Sequence, residues 1–173
     1  MSSNRATIKR LSRDQRFMAS CHEAITWGTC PRARVGAIVA QGGLRISTGY
    51  NGAPPDQPHC DDVGCLMIEG RCKRSRHAEV NALALAGLER AKGATLYVSH
   101  FPCLDCANAI VFYGIARVVY EIAYRVDEHA YRLLFSATRL ERFVDGKAVP
   151  ARVLESVDQF GRKDWAIAEG WAS

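Results

Sequence analysis

The sequence predicts a three-layer α/β/α domain built on a mixed sheet of about five strands. Three observations point to it. A capped amphipathic helix opens the chain, a glycine-turn hairpin follows it, and strand, helix and strand then alternate from residue 94 to residue 120. Alternation of that kind implies parallel strands joined by a crossover helix, with helices covering both faces of the sheet.

Each element has a local cause. Ser12-Arg13-Asp14-Gln15 reads as a capping box for a helix running to about Trp27, with Phe17, Met18, Cys21, Ala24 and Ile25 on its apolar side and Gly28 as its stop. Val35 to Ala40 and Leu44 to Tyr50 are strand-like and meet across Gln41-Gly42-Gly43, a strong hairpin signal. Asn51 to Arg71 shows no periodicity and reads as a long ordered loop, the kind that in a compact domain usually carries function. Ser75 to Glu89 is an Ala- and Leu-rich helix, with Gly93 beyond it. Strand Ala94 to Ser99, helix Cys103 to Tyr113 and strand Ile115 to Tyr120 follow in close succession. Asp127 to Thr138 is expected as a helix, Leu140 to Val144 as a short strand and Asp145-Gly146 as a turn, and Pro150 can open a last helix containing Val153, Leu154 and Val157. Trp165 and Trp171 fall in a stretch without clear periodicity. The whole, residues 1–173, is expected as one domain, its core at about 13–145 and an extension at 146–173.

Composition bounds the function classes. A chain of 173 residues with 48% hydrophobic and 24% charged residues is ordinary globular usage. No apolar run approaches the roughly 18 residues that cross a membrane and no signal-peptide core is seen, so a soluble, cytoplasmic protein is expected. Seven cysteines is a high count, and an odd one argues against a complete set of intrachain disulfides. In a reducing cytosol, metal explains them better. The formal charge of +5 suits an anionic substrate. It is too diffuse for a duplex-binding surface, and the absence of a Lys/Arg run with interleaved aromatics argues against polynucleotide partners.

Chemistry concentrates in Arg76-His77-Ala78-Glu79 and Pro102-Cys103-Leu104-Asp105-Cys106. A catalytic zinc takes three protein ligands and keeps a fourth position open, and His77, Cys103 and Cys106 meet that requirement. If Pro102 opens a helix, Cys103 and Cys106 share one of its faces, at a terminus that favours thiolates. Residues two apart in a helix do not face the same way, so spacing alone does not bring Glu79 to the metal. HxE followed by PCxxC is, however, the signature of zinc nucleobase deaminases, in which the glutamate moves protons and is not a ligand. Either half alone has a bland reading: HxE as a solvated helix turn, CxxC as a redox dithiol, half a structural site or buried thiols. A second group, Cys60, Cys65 and Cys72 with Cys30 or His59 as fourth member, is expected to hold a structural zinc, because the loop around it has too little apolar content to order itself by burial. Cys21 is expected in the core, and His22 and His129 on the surface.

The segments Thr29-Cys30-Pro31-Arg32, Val35-Gly36-Ala37, Ser47-Thr48-Gly49-Tyr50-Asn51-Gly52-Ala53-Pro54, His59 to Cys65, Cys72 to His77 and Ser99 to Cys103 resemble the deoxycytidylate (dCMP) deaminases of bacteria and phages, over about residues 15 to 145. HAE and PCxxC mark the wider cytidine and deoxycytidylate deaminase superfamily, whereas the GYNG stretch and the cysteine-bearing insertion mark the deoxycytidylate branch. The resemblance implies a cytidine-deaminase-like fold and hydrolysis of dCMP to dUMP, with Glu79 as the single acid and base and one catalytic zinc. It implies that Asn51 bonds the sugar or base, that main chain at Ala78 and Ser99 reads the pyrimidine edge, and that His100 to Pro102 shape the pocket. The phosphate would meet one of Arg32, Arg34, Lys73, Arg74 or Arg76. Family members are commonly homohexamers regulated by dCTP and dTTP, so a homo-oligomer and those effectors are expected. Deamination of a modified deoxycytidylate or another nucleobase is the alternative within the enzyme class, and a single-strand-binding or noncatalytic zinc protein the alternative outside it.

Overall fold

Local capping starts the fold where the sequence places it. In the computed structural model, which describes residues 10–151, α1 (Arg13–Ile25) opens on Ser12, whose Oγ accepts from the Gln15 N–H at 3.2 Å, while the Gln15 side chain accepts from the Ser12 N–H at 2.8 Å. Strands β1 (Gly36–Gln41) and β2 (Leu44–Tyr50) form the expected hairpin, and Gly42 and Gly43 both carry the positive φ, 59° and 83°, that a tight two-residue turn needs.

The segment expected as a long ordered loop is ordered and also holds short regular elements. It contains a helical turn, α2 (Cys60–Val63), and a small hairpin of β3 (Met67–Ile68) and β4 (Arg71–Cys72) turning on Glu69 and Gly70, both with positive φ. Strands two residues long leave too little pattern to read in a sequence. The helix expected over Ser75 to Glu89 is instead α3 (Ala78–Ala86) and a short α4 (Leu88–Ala91), separated at Gly87, whose φ is 75°. Its start moves because Arg76 is held in a bridge with Gly52, leaving His77 as the cap.

Beyond these, β5 (Thr95–His100), α5 (Leu104–Phe112), β6 (Arg117–Ile122), α6 (Glu128–Ala137), β7 (Arg139–Val144) and β8 (Lys147–Pro150) complete the described chain. The sheet has six strands in the order β2-β1-β5-β6-β7-β8. β5, β6 and β7 are parallel, linked by α5 and α6. The sixth strand is β8, paired antiparallel to β7 across the Asp145-Gly146 turn. Pro150 therefore ends a strand that lies at the sheet edge among the described residues, where a missing N–H is tolerated. The sheet thus continues past residue 145, and the helix expected around Val153, Leu154 and Val157 lies outside the described residues.

Strand alternation sorts the core into two layers. Ile38, Tyr97 and Val119 pack with Phe17, Met18 and Cys21 under α1. Their neighbours Ala37, Val39, Leu96, Val98, Val118 and Tyr120 pack on the other face against residues of α3, α5 and α6. Contact between β2 and α3 is close enough to require glycine: a Cβ at Gly49 would lie 2.1 Å from the Ala78 carbonyl oxygen. Ser47 Oγ donates to Ala82 O at 2.6 Å and clamps the same pair.

Candidate active site

Two helices begin side by side, and their caps make the site. His77 is the N-cap of α3 and Cys103 the N-cap of α5, both with extended backbone, and Cys106 sits one turn into α5. The helix therefore opens on Cys103, not on Pro102. An N-cap side chain folds back over the first turn, which brings Cys103 and Cys106 together. It also resolves the spacing of His77 and Glu79. His77 lies outside the helix, so the rule that residues two apart diverge does not apply to it.

His77 Nδ1 is 3.3 Å from Cys106 Sγ and 3.5 Å from Cys103 Sγ. Tetrahedral zinc with ordinary bond lengths sets ligand atoms roughly 3.5–3.8 Å apart, so this trio fits such an ion. The hydrogen bond from Cys106 is the leading cause that brings the Cys103 thiol down to about 4, and the bond to Cys103 lifts His77 to about 9. Cys106 is pushed upward, first by its bond to Cys103 and then by burial. Glu79, 4% exposed, is raised by burial and opposed by the charge of His77.

These groups open on a cavity of about 430 Å³ whose wall includes His77, Ala78, Glu79, His100 and Cys103. Pro102 and Ser99 are buried and do not line it. Asn51 borders it, and each end of its side chain holds main chain: Oδ1 accepts from Val35 N–H at 2.6 Å and Nδ2 donates to Ala33 O at 2.7 Å. These bonds hold segment 33–35 in the wall, and each end of the amide keeps a second bonding position toward the cavity.

Of the expected phosphate ligands, Arg32 lines the cavity, fixed by donation to Gly70 O at 3.0 Å. Arg34 faces Asp61 at 3.6 Å, Arg74 donates to Gly64 O at 3.0 Å, and neither they nor Lys73 and Arg76 belong to the wall. Arg71 and Arg125 do. Arg125, which sequence reasoning missed, lies with its guanidinium 5.1 Å from the centre of the Tyr124 ring, just beyond β6. Its one sequence signal was position, since ligands in open α/β sheets gather beyond the carboxyl ends of strands.

The second cluster also assembles. The sulfurs of Cys30, Cys60, Cys65 and Cys72 lie within 4.8 Å of one another, with Cys60–Cys72 at 3.5 Å and Cys30–Cys65 at 3.9 Å, separations that fit one tetrahedral ion. Cys30 is thus the fourth member. His59 is not: its Nδ1 pairs with Thr29 Oγ1 at 3.0 Å. Burial alone would raise the Cys72 thiol, but main-chain hydrogen bonds at Ser75 and Arg74 help bring it to about 7. Cys30 and Cys72 border the same cavity as Glu79.

Known proteins are similar to this chain in sequence and fold. The family model described as the cytidine and deoxycytidylate deaminase zinc-binding region matches residues 11–122. ComE operon protein 2 of Bacillus subtilis is 39% identical over 136 residues, covering 75% of this chain and 70% of that protein. Deoxycytidylate deaminase of Saccharomyces cerevisiae is 37% identical over 139 residues, covering 76% of this chain but 45% of the yeast protein, so the chain spans under half of that relative's length. Among solved structures, dCMP deaminase from the cyanophage S-TIM5 in complex with dCMP and dUMP aligns with a TM-score of 0.65 at 26% identity, over 78% of this chain and 99% of that one.

Proposed function

The chain belongs to the cytidine and deoxycytidylate deaminase family, and from that premise we propose that it hydrolyses dCMP to dUMP and ammonia, supplying dUMP for thymidylate synthesis. One observation carries the reading: a buried carboxyl, Glu79, and a three-donor metal site open on one cavity with a cationic wall, in the fold of a phage enzyme solved with dCMP and dUMP.

His77, Cys103 and Cys106 would hold the catalytic zinc. Zinc bound there supplies Lewis acidity that brings the proton affinity of water toward neutrality. Glu79, ionised, takes a proton from water as the water oxygen bonds to C4 of cytosine. The same carboxyl passes that proton to N3, then moves the remaining water proton to the exocyclic amine as the C4–N bond breaks and ammonia leaves. Its burial excludes competing solvent and fixes the carboxylate against the ring. Ala78 main chain would read the pyrimidine edge, His100 would shape the pocket, Ser99 and Pro102 would back its wall from behind, and Asn51 would bond the sugar or base. Arg32, Arg71 and Arg125 supply the charge that a 5′-phosphate demands.

The reading extends to a second, structural zinc on Cys30, Cys60, Cys65 and Cys72, supported by the donor separations. It also covers a single domain over residues 1–173, a cytoplasmic location and a homohexamer responsive to dCTP and dTTP; resemblance to the family, including Gly49-Tyr50-Asn51-Gly52, supports the last of these. Among the described residues no helix is long and apolar enough to cross a membrane.

Ammonia release is the test. The purified zinc protein is assayed on dCMP, CMP, deoxycytidine, dCTP, 5-substituted dCMP and adenosine, with and without dCTP or dTTP. Preference for dCMP is expected, and silence on every cytidylate would overturn the reading.

A further inference from the structure

We propose that Ser99 locks His100 in its Nε2–H tautomer, so that His100 presents a fixed hydrogen-bond donor to an acceptor oxygen of the bound nucleotide. The inference rests on the reading of the cavity as the dCMP site, and it follows from an inventory of protons.

Ser99 is fully buried, and its Oγ has two partners among the described residues. One is the Gly36 N–H, which donates to it at 3.1 Å and occupies a lone pair. The other is His100 Nδ1 at 3.0 Å. A serine hydroxyl has one proton to give, and a buried hydroxyl left undonated is costly. With Gly36 as a donor, the only acceptor open to that proton among the described residues is His100 Nδ1. A ring nitrogen that accepts carries no proton, so in the neutral ring the proton sits on Nε2. Burial lowers the affinity of His100 for a second proton, which favours the neutral ring at neutral pH.

Nε2 has no protein partner among the described residues, yet no buried side-chain polar atom there lacks one. Nε2 therefore reaches open space, and His100 lines the cavity that holds Glu79. Its ring stands edge-on to Tyr124, with centroids 6.0 Å apart and planes at 90°. The ring is thus fixed twice, by a hydrogen bond at Nδ1 and by an aromatic neighbour. A donor held this way offers its N–H without reorganisation and cannot turn to accept. It selects for an oxygen of the nucleotide at that point and against a donor group. His100 is the binding group and Ser99 the positioning residue.

Two measurements on the full zinc-loaded chain test this. In ¹⁵N-edited spectra at neutral pH, His100 Nε2 is expected to resonate as a protonated nitrogen and Nδ1 as an unprotonated one; the reverse pattern, or an imidazolium, overturns the inference whether or not the protein deaminates dCMP. In kinetics, His100→Phe keeps the aromatic contact and removes the donor, so KM for dCMP should rise roughly tenfold, the worth of one good hydrogen bond. His100→Gln, which restores an N–H near Nε2, should recover most of that loss. Ser99→Ala should mimic His100→Phe, and Ser99→Thr should behave as wild type. An active wild type with unchanged KM in His100→Phe overturns the donor role and leaves the deaminase reading standing. A wild type inactive on every cytidylate overturns both that reading and the nucleotide contact.

Discussion

In the proposed mechanism a single carboxyl does all the proton transfer, which makes Glu79 the residue with the largest predicted effect. It is 4% exposed, lies at the start of α3 and shares its hydrogen-bonding environment with Cys106. Glu79→Gln keeps the shape and removes the base, while His77, Cys103 and Cys106 remain to bind metal. Turnover should therefore fall by at least about 10³-fold, since positioned acid–base groups contribute 10²–10⁴ and this one acts in successive steps. Zinc content by atomic absorption should stay as in wild type. Residual turnover within tenfold of wild type would remove Glu79 from that role, and lost zinc would reassign it as a ligand.

At the scale of elements, α2 and the β3–β4 hairpin cannot stand on burial: Val63, Leu66, Met67 and Ile68 are each about half exposed. Four thiols converging from this segment and from Cys30 supply the missing order if they share an ion. The hairpin also carries the wall of the cavity, through Arg71 and through the Gly70 carbonyl that fixes Arg32. Cys65→Ser, which alters no lining residue, should thus lower bound zinc from two ions per chain to one and raise KM for dCMP roughly three- to tenfold, as expected when a charged hydrogen bond is loosened and not deleted. A kcat changed by less than about threefold would place the effect in binding, whereas two retained zinc ions would argue against the cluster. What could be read beforehand divides along the same line. Ser12 with Gln15, Gly42-Gly43 and Asp127 act on backbone within three or four positions, so their helices and turn were legible. The choice of Cys30 over His59, the tied side chain of Asn51 and the arrival of Arg125 at the cavity depend on segments far apart in sequence, and no local pattern encodes them. His77 and Glu79 fall between. Their motif named the chemistry, but a cap, which periodicity does not describe, explains why the two converge.

Across the whole molecule, one ion-pair network joins α1 to the strands of the sheet. Arg117 on β6 donates to Asp14 of α1 at 2.8 Å and to Glu141 of β7 at 2.5 Å, and Tyr97 of β5 donates to Asp14 at 2.7 Å. Glu141 is 1% exposed and also receives Arg139, so four elements meet on two carboxylates. The hydrogen bond from Arg117 leads the causes that hold the Asp14 carboxyl below its ordinary range, against the opposing effect of burial. A carboxyl with a depressed folded-state pKa contributes stability above its unfolded value, near pH 4, and loses that contribution as pH falls through the lower folded value. Asp14→Asn should therefore cost about 1–3 kcal/mol at pH 7, the range for a hydrogen bond to a charged partner. The difference from wild type should stay level down to about pH 4 and shrink below it. Denaturant unfolding of both proteins at each pH measures this directly, because acid-driven metal loss affects the two alike and cancels. A gap that persists undiminished at pH 2 would mean that Asp14 contributes through its shape and not its charge.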